Sequence, residues 1–186
     1  QGGYIYKFDT HSKQATKVNV NIDNDQIYSR PELKDVSNQI ASADISPNGE
    51  RLLISARGDL FSVPAQKGVT YNLTNSSDAN DFAGSWSPDG QQIAYISDKS
   101  GEFNIWLRDA FNGKERQLTQ DLKTYIFDLK WSPDSKKIAW NEKRNTLNIT
   151  DVSSGTTTVV ETSGIAPIHS YNWSPDSKYL TFIRPE

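Results

Sequence analysis

Between residues 84 and 119 short apolar runs alternate with polar turns. Ile93-Ala94-Tyr95-Ile96 is almost continuously apolar, Phe103-Asn104-Ile105-Trp106-Leu107-Arg108 alternates, and Glu115-Arg116-Gln117-Leu118 is mostly polar. Apolar runs of this length, separated by turn residues, predict four short antiparallel strands. The first two are joined by Ser87-Pro88-Asp89-Gly90, where Pro88 presets φ and Gly90 accepts a positive φ, and the next two by Asp98-Lys99-Ser100-Gly101. The fall in apolar content from strand to strand predicts a sheet with buried inner strands and a wet outer edge.

The same unit recurs. Its turn reads Ser46-Pro47-Asn48-Gly49, Ser87-Pro88-Asp89-Gly90, Ser132-Pro133-Asp134-Ser135 and Ser174-Pro175-Asp176-Ser177, at intervals of 41, 45 and 42 residues. Trp86, Trp131 and Trp173 precede the last three turns, and Ile45 stands in that place before the first. A period of about 40 to 45 residues with four strands per unit predicts an all-β fold, a β-propeller segment of four-stranded antiparallel blades. One blade cannot stand alone. Leaving Ile93, Tyr95, Ile105 and Leu107 in water would forgo about 1.5–3 kcal/mol each, so blades must stack.

Taken in order, the chain supplies half a blade at residues 1–20, blades at 40–74, 82–119 and 125–161, and half a blade at 170–184. The opening half carries a turn at His11-Ser12-Lys13. Residues 21–38 are the least regular stretch and read either as a binding loop or as a solvated connector with one packed turn. No helix is expected. Two half blades leave open edges, which predicts that they pair with each other or between molecules.

A net charge of −3 and a pI near 5.4 argue against a nucleic-acid surface. No apolar run approaches the roughly 18 residues of a membrane helix. With no cysteine there is no disulfide and no thiolate metal site, which leaves the compartment open. No secretory leader is visible, and a chain without methionine that begins mid-pattern is expected to be a piece of a longer protein.

The sequence carries no constellation for catalysis. A hydrolase needs a nucleophile, a base and an orienting acid within reach of one another. His11 sits in a polar turn, His169 precedes a strand, and neither lies beside a nucleophile elbow. Ser87, Ser132 and Ser174 recur with the repeat and read as turn caps. Asp89, Asp134 and Asp176 recur too and read as Asx turns, since one acid per blade cannot gather the six to eight oxygens a calcium ion takes. No zinc spacing and no phosphate cradle appears, so neither metal nor cofactor is expected. Trp86, Trp131 and Trp173 read as packing between blades, while Trp106 and Trp140 have no repeat position. Arg57, Lys99, Arg108 and Lys130 lie in turns or near strand ends, where they would either be solvated or line a face that meets peptide carboxylates.

The pattern Trp-Ser-Pro-Asp-Gly, apolar strand, Ser-Asp-x-Ser-Gly, apolar strand, Leu-Thr resembles the repeats of TolB-like proteins, prolyl-oligopeptidase relatives and tricorn proteases; the WD40 dipeptides are absent. A narrower resemblance runs through Ala56-Arg57-Gly58-Asp59-Leu60-Phe61-Ser62-Val63-Pro64 and Ser97-Asp98-Lys99-Ser100-Gly101-Glu102-Phe103, which look like two consecutive segments of the tricorn family. It covers nearly the whole chain. Asn48 departs from it in place of the turn Asp, and Ser135 and Ser177 in place of the turn Gly. The resemblance implies the propeller region of a large serine peptidase that trims peptides, with two propellers ahead of a PDZ module and a catalytic region. In such enzymes the propellers gate, channel or dock peptides and do no chemistry. The partners implied are peptides or protein, with no nucleic acid and no membrane, and homo-oligomerisation of the parent is left open. The compartment would be the cytoplasm, with the periplasm as the alternative. The alternative function is a TolB-like interaction scaffold with no peptidase attached.

Overall fold

A computed structural model describes residues 4–20 and 37–185. The stretch at 21–38 lies outside the described residues, apart from the start of a 3-10 turn at Ser37–Gln39. The chain divides into two compact units, Gln1–Asp35 and Val36–Glu186. In the first, β1 (Ile5–Asp9) and β2 (Gln14–Val18) form an exposed hairpin. No α-helix occurs among the described residues.

The second unit holds three four-stranded sheets and a closing hairpin, all antiparallel. Sheet one is β3 (Ile40–Ile45), β4 (Arg51–Ala56), β5 (Asp59–Pro64) and β6 (Tyr71–Asn72). Sheet two is β7 (Asp81–Trp86), β8 (Gln92–Ser97), β9 (Asn104–Asp109) and β10 (Glu115–Gln117). Sheet three is β11 (Ile126–Trp131), β12 (Lys137–Glu142), β13 (Thr146–Asp151) and β14 (Thr157–Thr162). The closing hairpin is β15 (Tyr171–Trp173) and β16 (Leu180–Phe182). Strands pair in chain order, so each first strand lies on a sheet edge.

The core sits between sheets. From β8, Ile93 and Tyr95 pack against Leu53 and Leu60 of sheet one. Ala94 and Ile96, on the other face, join Ile105, Leu107 and Leu118 against Ile126, Leu129, Ile138 and Trp140 of sheet three. Ala139 and Leu147 then meet Ile168 and Tyr171 at the closing hairpin. Because β8 is covered on both faces, its four central positions, Ile93 to Ile96, are apolar in succession and not merely at alternate places. Second and third strands are the buried ones; β14 is almost wholly exposed, as expected of an outer edge. Of the first strands, β3 is the most exposed, β11 keeps one exposed position and β7 is buried or half-buried throughout.

The four Ser-Pro-Asp/Asn turns have one geometry. In each the serine hydroxyl donates to the third-position side chain: Ser46 to Asn48 at 2.8 Å, and Ser87 to Asp89, Ser132 to Asp134 and Ser174 to Asp176 at 2.6 Å. It also accepts the amide five residues on, from Arg51, Gln92, Lys137 and Tyr179, at 2.9 Å. The fourth position has positive φ in all four: Gly49 at 70°, Gly90 at 71°, and Ser135 and Ser177 at 60°.

Serine is strained in that conformation, and its hydroxyl accounts for its presence. The amide of Asp89 donates to Ser135 Oγ at 3.1 Å, and that of Asp134 donates to Ser177 Oγ at 3.0 Å, each across a seam between sheets. The tryptophans bridge the same seams. Trp131 Nε1 donates to the Ser85 carbonyl at 3.2 Å, and Trp173 Nε1 to the Lys130 carbonyl at 3.1 Å. The seam between sheets one and two differs. Gly90 offers no hydroxyl there, and the indole N–H of Trp86 is buried without an acceptor. Asp44 serves instead: its Oδ2 accepts the Trp86 amide at 2.8 Å and the Ser85 hydroxyl at 2.9 Å. At this seam a Cβ on Gly84 would lie 2.8 Å from Leu53 Cδ2 and 3.0 Å from Leu60 Cδ2, so glycine lets β7 approach sheet one.

A second repeated device closes the turn between third and fourth strands. Asp9, Asp109 and Asp151 each accept two backbone amides, two and three residues on, through Oδ1. For Asp151 the hydroxyl of Ser153, the amide and hydroxyl of Ser154 and the Ser153 amide hold the carboxyl down at about 2.

Three outcomes follow. In urea titrations, Ser135→Ala should cost about 1 kcal/mol through the lost bridge, whereas Ser135→Gly should recover most of that by removing the positive-φ strain. Gly84→Ala should destabilise by about 1–3 kcal/mol through overpacking against Leu53 and Leu60; a neutral result would place β7 elsewhere. A depressed carboxyl stabilises the fold above its unfolded value of about 3.9 and ceases to do so as pH falls through the folded value. The melting-temperature gap between wild type and Asp151→Ala should therefore be full at pH 5 and narrow towards pH 2.

Candidate functional site

The first strands of successive sheets lie side by side, β3 against β7 and β7 against β11. Each carries a bulge near its start, at Ile40/Ser42, Phe82/Ser85 and Ile126/Asp128. Bulges bend a strand and spoil its outer edge for pairing. In β7 the bulged Ala83 has φ of 51°. The three bulged edges line one groove of about 390 Å³ that includes Ser42, Asp44, Phe82, Ser85, Phe127 and Asp128.

Hydrogen bonds fix the groove walls. Ser42 Oγ donates to Ser55 Oγ at 2.9 Å, and Ser55 Oγ accepts the Gly84 amide at 3.3 Å, which ties β3, β4 and β7 together. Asp44 is spent on Ser85 and Trp86. Loss of water around Asp128 raises its carboxyl above the ordinary range; the Leu129 amide and the charges of Lys130 and His169 only partly oppose this. Beside the groove runs a row of rings. Phe82 stacks on Tyr125 at 5.9 Å, Tyr125 meets Phe127 edge-on at 5.4 Å, and Phe127 meets His169 at 5.3 Å. The wall thus combines strand-edge backbone, two carboxylates and aromatic faces, and no Lys or Arg among the described residues lines it.

The cations singled out from sequence lie elsewhere. Lys99, in the turn between β8 and β9, and Arg108, on β9, come together on Glu115 of β10, at 2.6 and 3.1 Å. Lys99 also reaches Tyr95 Oη at 2.7 Å and sits 3.8 Å over the Trp106 ring, which assigns Trp106 a cation–π role. Burial works to raise Glu115, but hydrogen bonds from Lys99, Tyr95 and Arg108 win and hold it below the ordinary range. Lys130 donates to the Tyr171 carbonyl at 2.9 Å and to Asn172 Oδ1 at 3.2 Å, across the last seam. Arg57 is exposed in a two-residue hairpin turn with Gly58, both at positive φ (57° and 82°). Pro47, Gly49, Pro88, Asp89, Gly90, Pro133, Asp134, Pro175 and Asp176 occupy matching corners of their sheets. Trp140 is buried in the core and donates to Thr150 Oγ1 at 2.9 Å.

Sequence reasoning missed Asp44 and Asp128. An acid inside an otherwise small and apolar run such as Ile40-Ala41-Ser42-Ala43-Asp44-Ile45 was the available signal. His169 Nδ1 lies 3.2 Å from Asn141 Nδ2. Among the described residues, no group of three or more His, Cys, Asp or Glu could hold a metal ion.

The family described as the tricorn protease second β-propeller domain matches residues 40–186. A dipeptidyl-peptidase 5 of Porphyromonas gingivalis is 31% identical over 53% of this chain and 17% of its own length. A tricorn protease homolog of Saccharolobus solfataricus is 22% identical over 99% of this chain and 16% of its own length. The chain thus spans less than a fifth of these relatives. Among solved structures, tricorn protease superposes with a TM-score of 0.65 at 17% identity, covering 97% of this chain and 17% of its own. TolB from Acinetobacter baumannii does so with 0.64 at 19%, covering 98% and 43%. Four-stranded antiparallel sheets packed seam to seam, repeated turns at matching corners and the family match agree, and the chain belongs to the tricorn protease second β-propeller family.

Proposed function

We propose that this chain is the non-catalytic propeller region of a tricorn-like serine peptidase, and that its first-strand groove admits and guides extended peptides towards a catalytic module elsewhere in the protein. The observation that carries this reading is the row of three bulged strand edges along one groove. Free backbone N–H and C=O groups hydrogen-bond any extended chain regardless of its side chains, as a trimming peptidase requires of a conduit. Bulges keep such a chain from being locked into a full ladder. Asp44 and Asp128 bias the groove towards peptides with free amino groups or basic residues.

A second reading is an interaction scaffold of the TolB kind with no peptidase attached; the TolB superposition over 98% of this chain supports it as well as the tricorn one supports the first. A plug separates the two. Ala43 is exposed on the groove wall, and in the full-length protein Ala43→Trp should lower kcat/KM for a decapeptide by at least about tenfold while leaving a dipeptide amide within about twofold. Equal turnover of both by wild type and plug would refute channelling. Absence of any peptide hydrolysis by the full-length protein would favour the scaffold. The chain alone should not hydrolyse fluorogenic peptides.

A further inference from the structure

Two asparagines in the chain precede glycine, Asn48 and Asn112. Glycine has no Cβ to shield its own nitrogen, so an Asn-Gly pair is where a backbone nitrogen most easily reaches the carboxamide of the residue before it. Both asparagines are exposed, and both glycines have positive φ, 70° at Gly49 and 72° at Gly113. Their hydrogen bonds set them apart.

Asn48 is pinned. Its Oδ1 accepts the Ser46 hydroxyl at 2.8 Å and the Glu50 amide at 3.1 Å, its Nδ2 donates to Glu50 Oε2 at 2.9 Å, and the Gly49 amide donates to the Ser46 carbonyl at 2.8 Å. Turning this carboxamide towards the Gly49 nitrogen breaks the corner that joins β3 to β4. The Asn112 carboxamide is held by one bond, from the Lys114 amide to Oδ1 at 2.7 Å, and among the described residues nothing accepts from its Nδ2. The Gly113 amide meets the Asp109 carbonyl at the longer distance of 3.1 Å. Nor does the turn require asparagine. The third residue after Asp9 and Asp151, which offers its amide to the same kind of carboxylate cap, is Ser12 in one turn and Ser154 in the other.

We infer that Asn112 is a site of spontaneous covalent modification, a deamidation directed by Gly113 that consumes water and releases ammonia. The Gly113 nitrogen attacks Asn112 Cγ and gives up its proton; the bond from Cγ to Nδ2 breaks, ammonia leaves, and a cyclic imide closes. Water then adds to one of the two imide carbonyls. Breaking the new bond to Cγ yields aspartate, and breaking the original peptide bond yields isoaspartate. Either product carries a carboxylate where the neutral amide stood, two residues from Lys114. Isoaspartate also lengthens the turn by one backbone atom next to the Gly113 carbonyl, which accepts Arg108 Nη1 at 2.9 Å. Asp109 keeps its hold on the turn from the other side, through the Phe111 and Asn112 amides.

The test incubates the whole chain in warm, mildly alkaline buffer, folded or in urea, and follows both asparagines by peptide mapping with fragmentation that separates aspartate from isoaspartate. In the folded chain Asn112 should convert at least about fivefold faster than Asn48, the effect of one hydrogen bond on a barrier. In urea, where neither turn exists, the two should convert within about threefold of each other. Both aspartate and isoaspartate should form at Asn112. The variant Asn112→Ser, which carries the residue the corresponding turns use, should keep the fold and leave the slow conversion of Asn48 unchanged. An Asn112 still intact in the folded chain once the unfolded chain has converted would overturn the inference, and so would an Asn48 that keeps pace with it in the folded chain. Aspartate without isoaspartate would overturn it too, since the Gly113 nitrogen would then have taken no part.

Discussion

A sheet whose second strand is apolar on both faces cannot cover itself, and the structure follows from that constraint. Ile93 and Tyr95 look one way and Ala94 and Ile96 the other, so sheet two is stable only between two neighbours. Burial is indifferent to direction. Register between sheets is therefore fixed by polar contacts at the seams: an indole N–H on a carbonyl, a hydroxyl under a turn amide, or Asp44 across β3 and β7. Each is worth about 1 kcal/mol net, small beside the apolar burial but able to select one arrangement.

The positive-φ serines show how local and distant requirements trade against each other. Glycine suits Gly49 and Gly90. At Ser135 and Ser177 the chain accepts a strained backbone because the hydroxyl meets an amide 46 and 43 residues earlier. The seam that lacks both serine and tryptophan bridges is clasped nearer the groove and left open at the rim. One repeat thus yields two unlike seams.

Much of the fold was legible in the chain. Ser-Pro-Asp/Asn turns, the tryptophan before three of them and alternation in β9 are local signals, and local signals survive in a linear reading. The bulges were not legible, because they depend on how a first strand meets the edge beside it. Nor was the purpose of Ser135 and Ser177, whose partners lie a whole unit away. The groove was harder still: Lys99 and Arg108 drew notice as cations, yet fold onto Glu115, while Asp44 and Asp128 drew none and line the groove. Charge in a sequence does not say which charges face each other.

The account stands on the seams, and nuclear magnetic resonance of the chain reads them directly. Nuclear Overhauser contacts are expected from the indole N–H of Trp131 to the backbone of Ser85 and from that of Trp173 to the backbone of Lys130, each reaching into the preceding sheet. If both indole protons contact only their own sheets, the sheets do not pack as described, and the groove between their first strands does not exist.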